Sequence, residues 1–142
     1  MDNREFVVMT KQYAVDDVVE ECVNALKAPR LPKHLPVPRD PVEESISRWI
    51  TDHSFVEQQR SEWFNLLTGE NQRMVRAILK DCAERALASF FTLLDGVGGA
   101  YEGVFEIVAV DSANRRSVLN PQNTVMLHDL FSEICEEGRQ KT

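Results

Sequence analysis

The stretch that decides the fold runs from Glu70 to Leu94 and reads ENQRMVRAILKDCAERALASFFTLL. Its apolar residues recur every three or four positions for about seven helical turns: Val75, Ile78, Leu79, Cys82, Ala83, Ala86, Leu87, Phe90, Phe91 and Leu94. This spacing predicts one long helix. Between Ala86 and Leu94 only Ser89 and Thr92 are polar, and a helix that is apolar all round is normally surrounded. We therefore expect residues 86–94 to form the centre of the core.

The residues after this helix predict a β-hairpin followed by a final helix. Gly96 suits the left-handed position that ends many helices. Two β-rich runs flank the turn residues Asp111–Asn114, which predicts a hairpin over 103–119. A single hairpin is marginal alone, so we expect it to pack on the long helix or to pair with another strand, within the chain or across a symmetric dimer. The last helix should run from Val125 or Met126 to Glu137 and end at Gly138. Its inward residues should be Leu127, Leu130, Phe131, Ile134 and Cys135.

The first helical pattern begins near Tyr13 and has an apolar and an acidic face. The apolar face contains Val15, Val18, Val19, Cys22, Val23 and Leu26, and the acidic face contains Asp16, Asp17, Glu20 and Glu21. These four carboxylates form the most concentrated negative patch in the chain. The preceding run Phe6–Met9 is compatible with a third strand of the hairpin sheet or with the apolar start of the helix.

Residues 29–41 hold five of the six prolines, which excludes a helix there. We expect an extended strap on the surface of the body, with a locally basic character from Arg30, Lys33, His34 and Arg39. A role as a ligand of SH3-type domains is a far weaker interpretation of the same residues.

Two capping patterns predict two helices between the strap and the long helix. Asp40, Pro41 and Glu43 suit the first positions of a helix that runs to about Asp52. Ser54 and Glu57 resemble a second capping box, which starts a helix that ends at Thr68-Gly69. The apolar residues expected to be buried are Val42, Ile46, Trp49, Ile50, Val56, Trp63, Phe64 and Leu67. The predicted fold is therefore α+β and mainly helical, a single domain over 1–142 with about five helices around the long helix 70–94.

Composition excludes several classes of protein. The chain has 142 residues, is 43% hydrophobic and carries a formal net charge of −7, values typical of a folded domain rather than of disorder. It contains no apolar run long enough for a membrane helix, and its N-terminus lacks the pattern of a secretory signal. An acidic excess argues against binding nucleic acid or anionic membrane, and it favours encounter with a basic protein.

The candidate chemistry does not assemble into a known motif. Cys22, Cys82 and Cys135 are far apart and lie on apolar helix faces, which indicates buried free thiols in a reducing cytoplasm. The glycines at 96–99 follow a helix and precede a strand, the reverse of a phosphate-binding loop. The histidines His34, His53 and His128 have no metal-ligand spacing. We therefore predict no catalytic residue, no metal and no cofactor.

The carboxylate pairs Glu43/Glu44, Glu102/Glu106 and Glu136/Glu137 fit solvated surfaces. Glu102 and Glu106 should share the exposed face of the first strand, because side chains alternate between the faces of a sheet. They are the second set of candidate partner-binding residues, after the four carboxylates of the first helix.

The segments ALASFFTLLDGV (86–97), GVFEIVAV (103–110), LNP (119–121) and LHDLF (127–131) resemble small acidic bacterial proteins of uncharacterised function. Those proteins are similar in size and acidity to immunity proteins that are paired with secreted bacterial toxins. The resemblance covers residues 75–135 and transfers no site residues. It implies a protein that binds another protein and has no catalytic activity of its own.

Three hypotheses follow, in descending order of preference. The first is an immunity protein that covers the basic active site of a toxin with its acidic residues. The second is a structural or regulatory homo-oligomeric adaptor that uses the edge of the hairpin. The third is a small enzyme whose site converges from distant residues, including His128 and Asp129.

Overall fold

The computed structural model describes residues 1–29, 37–97, 105–121 and 124–140. In chain order the elements are α1 (Asn3–Lys11), a π-helical segment (Gln12–Asp17), α2 (Val18–Lys27), α3 (Pro41–Leu66), α4 (Gly69–Leu94), β1 (Val108–Val110), β2 (Arg116–Val118) and α5 (Leu127–Gln140). The predicted class, α+β and mainly helical with one hairpin, is confirmed.

The described residues contain four continuous helical stretches, whereas the sequence analysis expected about five helices. The difference lies in α3, which runs unbroken through the predicted boundary between Asp52 and Ser54. No proline or glycine interrupts this stretch, so a capping pattern alone does not end the helix. The expected start of α3 is confirmed, because the Asp40 side chain accepts hydrogen bonds from the backbone N–H groups of Val42 and Glu43.

The chain groups into two compact units, each described here by itself. The first comprises Met1–Val18 and Leu79–Thr142, and the second comprises Val19–Ile78. The sequence-based expectation of one domain over 1–142 stays a prediction beside this grouping.

The core of the first unit is formed by one apolar face from each of its helices. Its buried members are Val7, Val15, Leu87, Phe91, Leu127, Leu130, Phe131 and Cys135. The inward face predicted for α5 is confirmed, with Ile134 partly buried against the cluster. In the last turns of α4 only one face is covered, because Phe90 is 50% exposed and Leu93 is 37% exposed. The expectation that residues 86–94 are surrounded on several sides was therefore wrong.

Helix α1 begins at a capping box that the sequence analysis did not identify. The Asp2 side chain accepts from the backbone of Glu5, and the Glu5 side chain accepts from the backbone of Asp2. Of the two alternatives for Phe6–Met9, the structure shows the helical one. Arg4 then joins α1 to α5 through ion pairs with Glu133 and Glu137, at 3.0 and 2.7 Å.

Backbone groups order the chain at the end of α4, and a side-chain amide orders it at the base of the hairpin. Gly96 has φ 71°, and the N–H groups of Gly96 and Val97 bond back to Leu93 and Thr92, which is the hydrogen-bond pattern of a Schellman motif. The Asn120 side chain accepts from Ile107 N–H at 2.8 Å and donates to the Phe105 carbonyl at 2.5 Å. The hairpin is thus held together by the Asn120 amide as well as by the backbone hydrogen bonds between its strands.

The predicted hairpin is present, with strands shorter than expected. β1 and β2 are antiparallel, with Val108 opposite Val118 and Val110 opposite Arg116. The turn residue Asp111 accepts from the backbone of Ala113 and Arg115, and Asn114 takes the left-handed conformation with φ 59°. Residues 103 and 104, where the sequence analysis begins the hairpin, lie outside the described residues.

In the second unit, α3 packs through its C-terminal end. Val19, Val23 and Phe64 are buried there. Ser61 and Asn65 both donate to the carbonyl of Lys27, at 3.4 and 3.1 Å, so α3 satisfies an acceptor at the end of α2. These contacts fix which part of α3 is covered.

The burial predicted for the rest of α3 was largely wrong. Val42, Ile46, Trp49, Val56 and Trp63 are between 40% and 68% exposed, and of the residues expected in the core only Phe64 is fully buried. Helical periodicity identifies an apolar face but does not supply the element that covers it. In the described part of the chain, packing on α3 reaches its last turns and leaves the two tryptophans at the surface.

Three smaller expectations were also wrong. Cys22 and Cys82 are exposed, and Cys135 alone of the three thiols is buried. Gly138 lies inside α5 rather than after it, and His53 lies in the middle of α3 rather than at a helix end. The predicted strap over 29–41 falls mostly on residues outside the described ranges.

We expect Gly96→Ala to lower the free energy of unfolding by about 1–2 kcal/mol, because a Cβ is unfavourable in the left-handed conformation. Gly69→Ala is the matched control, since a Cβ there would meet nothing within 4 Å at the start of α4. Urea unfolding followed by circular dichroism measures both. Equal stability of the two variants would contradict this account of the turn.

Candidate functional site

The first two carboxylates of the predicted acidic face, Asp16 and Asp17, lie in the π-helical segment. Lys11 Nζ contacts Asp16 Oδ2 at 2.8 Å, and Gln12 Nε2 donates to Asp17 Oδ1 at 2.7 Å. Both pairs are five residues apart, the spacing that a π-helix brings onto one line. The local backbone geometry therefore provides both carboxylates with internal partners.

Of the other two carboxylates, Glu20 is paired and Glu21 is exposed. Arg76, from α4, donates a short hydrogen bond to Glu20, and this bond is the main cause that lowers the pKa of the carboxyl. Both side chains are about half exposed, so the pair is screened and stabilises the fold little. Within the described residues, Glu21 is thus the member of the acidic face whose carboxylate is exposed rather than paired.

The second set of predicted partner-binding residues is only partly described. Glu106 is exposed just before β1, and Glu102 lies outside the described residues. The pairs Glu43/Glu44 and Glu136/Glu137 are at the surface except for Glu43, which is partly buried where it accepts from the backbone of Arg39. The expectation that these side chains are solvated is therefore met by most of them.

A polar cluster is centred on Asp95, which the sequence analysis did not single out. Its side chain is 4% exposed and accepts from the backbone N–H groups of Leu127 and His128, at 3.2 and 2.9 Å. Nδ1 of His128 lies 2.7 Å from Oδ2 of the same carboxylate, and Asp129 lies 3.4 Å from its Nε2. The carboxylate caps the N-terminus of α5 from the end of α4, and this capping explains the cluster without a catalytic role.

A groove of about 210 Å³ lies between α4 and α5 in the first unit. Its lining includes Glu84, which is 8% exposed and pairs with Arg139 at 3.0 Å and with Lys80 at 3.9 Å. Cys135 lines the same groove, and burial, followed by the charge of Glu84, raises the pKa of its thiol. A thiol with a raised pKa is a poor nucleophile at neutral pH.

A line of exposed side chains runs along α3, and we call it the α3 stripe. It consists of Val42, Ile46, Trp49, His53, Val56, Arg60 and Trp63. All seven side chains are exposed, and the His53 ring stacks on Trp49 with a centroid distance of 5.1 Å. His53 also contacts Glu57 at 3.2 Å. Exposed apolar surface of this kind, with tryptophan in it, is typical of protein-binding surfaces.

Among residues 1–29, 37–97, 105–121 and 124–140, no three metal-ligating side chains converge. Over the same ranges, no helix is both long enough and apolar enough to cross a bilayer.

Comparison with known proteins gave no relative: no family model, no curated protein and no solved structure matches the chain. The arrangement of the residues themselves therefore carries the functional argument.

The sequence analysis missed two features, the exposed α3 stripe and the Asp95 cluster. The sequence carries a signal for the first and none for the second. The heptad spacing of the α3 stripe is readable in the sequence, but its exposure is not. The contact between Asp95 and His128 joins residues far apart in the chain, so no local sequence pattern predicts it.

We expect Asp95→Ala to destabilise the fold by about 1–3 kcal/mol, because it leaves two backbone donors and a histidine nitrogen without their acceptor. Asp129→Ala removes the carboxylate on the other side of the same histidine and should change stability by less than about 0.5 kcal/mol, since that side chain is 63% exposed. Chemical denaturation of both variants tests the assignment. A larger effect of Asp129→Ala would contradict it.

We expect Cys22 and Cys82 to react quickly with iodoacetamide in the folded protein, and Cys135 slowly. Cys135 is buried and the pKa of its thiol is raised, so its reactive thiolate forms only at higher pH than that of an ordinary thiol. Peptide mass mapping after timed alkylation over a pH series measures each rate. Under denaturing conditions all three rates should converge, and fast labelling of Cys135 in the folded state would contradict the predicted core.

Proposed function

We propose that this chain is a protein-binding protein without catalytic activity, which acts by covering a surface of its partner. The observation that carries the proposal is the α3 stripe, with Trp49 65% and Trp63 53% exposed. Tryptophan is costly to leave in water and is enriched among the residues that dominate binding energy. A helix that holds two of them at its surface has the composition of an interface.

The specific form that we propose is a bacterial immunity protein of the cytoplasm, which neutralises a toxin by occluding its active site. The net charge of −7 supports a basic partner, because complementary charge accelerates association. Glu21 and Glu106 contribute exposed carboxylates to this attraction. Asp16, Asp17 and Glu20 contribute as well, since their polar contacts are partly exposed and can be exchanged for contacts with a partner at small cost.

The direct test uses the protein encoded next to this chain in its genome. Its C-terminal domain is expressed in a heterologous host, alone and together with this chain, and growth is measured. The proposal expects growth arrest by the domain alone and recovery with this chain. A toxic domain that this chain does not neutralise, or a domain that arrests no growth, would contradict the immunity role.

We expect Glu21→Lys and Glu106→Lys each to slow association with that domain by about threefold to tenfold at low salt. The effect should shrink as salt rises, because exposed charges are screened over about 10 Å at 0.1 M ionic strength. Stopped-flow fluorescence measures the rates.

Glu70→Lys is the control for the charge reversals, since it makes the same change in net charge at an exposed carboxylate that is not among the proposed partner-binding residues. Equal rates for all three variants would show that overall charge, and not these residues, steers the partner. Rates that do not depend on salt would contradict electrostatic steering altogether.

A further inference from the structure

The α3 stripe follows the repeat of a two-stranded coiled coil. Val42, Trp49, Val56 and Trp63 recur every seven residues, and Ile46, His53 and Arg60 form a second such series between them. These two series are the d and a positions of a heptad repeat, and they face a partner helix when two helices supercoil. α3 is 26 residues long, about 39 Å, which is enough for three heptads of contact.

The polar members of the stripe determine which way a second copy of α3 could lie. In a parallel pair each a residue faces its own counterpart, so Arg60 would meet Arg60 and His53 would meet His53. Two guanidinium groups in contact repel, and the seam has no carboxylate at these positions to compensate. An antiparallel pair avoids this, because residues at a then face residues at d.

The antiparallel register that aligns the two series places complementary side chains opposite each other. Ile46 of one copy faces Trp63 of the other, His53 faces Val56, and Arg60 faces Trp49. Each layer occurs twice by symmetry. A guanidinium over an indole is a favourable cation–π contact. The Arg60 side chain is exposed, so its guanidinium is accessible to a second copy.

Asp52 adds charge complementarity to this register. It is exposed and lies one helical turn from Trp49, on the flank of the seam. The Arg60 side chain of a second copy, inserted beside Trp49, reaches the Asp52 carboxylate. α3 therefore provides both partners for the Arg60 of a second copy: an indole face from the stripe and the Asp52 carboxylate beside it.

We propose that the α3 stripe binds a second copy of this chain, as an antiparallel dimer in which Arg60 of each copy packs on Trp49 and pairs with Asp52 of the other. The proposal rests on the assignment of the stripe as a protein-binding surface and names its occupant. The acidic residues proposed to attract a toxin, among them Glu21 and Glu106, are not members of the stripe.

Analytical ultracentrifugation of the full chain over a concentration series is the first test. We expect a reversible dimer, and Trp49→Ser with Trp63→Ser should weaken it at least about tenfold. Phe55→Ser is the matched control, because Phe55 is a 60% exposed aromatic residue on the opposite side of α3. Circular dichroism should show unchanged helicity in all variants, since every altered side chain is exposed.

A charge exchange tests the register. Arg60→Asp alone should weaken the dimer, and Asp52→Arg combined with Arg60→Asp should restore it. Within one helix the two residues are eight positions apart, about 12 Å along the axis, so the rescue cannot arise inside a single copy. A parallel pair would also keep them apart and would show no rescue.

Three results would overturn the proposal: a chain that stays monomeric at tens of micromolar, a dimer that survives loss of both tryptophans, or a dimer that the charge exchange does not restore. A surviving dimer would point to the hairpin edge instead. If the chain is monomeric but still neutralises the neighbouring domain, the dimer inference fails and the proposed function stands. If it dimerises through α3 and neutralises nothing, the immunity role fails and the dimer stands.

Discussion

The first unit depends on one buried carboxylate. Asp95 ends α4 and caps α5, so a single side chain satisfies the donors at the start of one helix from the end of another. The Schellman turn at Gly96 sets the direction in which the chain leaves this junction. The Asn120 amide closes the base of the hairpin on the Ile107 and Phe105 backbones and also donates to the Leu94 carbonyl of α4 at 3.5 Å. Because buried donors are costly to leave unpaired, these few hydrogen bonds determine how the apolar faces of α4 and α5 meet.

The two units use their apolar residues in different ways. In the first, Val7, Leu87 and Phe131 belong to one continuous buried cluster. In the second, burial is confined to residues such as Val23 and Phe64, and much of the apolar surface of α3 stays in contact with water. When something covers this much exposed apolar area, the free energy of the system falls, because apolar surface is removed from water. The proposal of a protein-binding surface on α3, and of a second copy as its occupant, follows from that imbalance.

Local chemistry made much of the fold predictable from the sequence. The Asp40 cap, the Gly96 turn, the hairpin about Asp111 and the inward face of α5 all depend on neighbours in the chain, and each is confirmed. The errors arose where distant residues decide. The exposure of Trp49 depends on which elements reach α3, and the role of Asp95 depends on a helix that begins about thirty residues later. The sequence analysis identified the acidic face as a pattern, but it did not identify Lys11 and Arg76 as the ion-pair partners of that face.

Both tryptophans of the chain lie on the α3 stripe, at positions 49 and 63. An indole in water fluoresces at longer wavelengths than one in an apolar contact, and no tryptophan elsewhere in the sequence contributes background. The natural chain is therefore its own optical probe for this surface. Whatever comes to cover α3, a second copy or another protein, should shift the emission to shorter wavelengths, whereas binding that involves only the first unit should leave the spectrum unchanged.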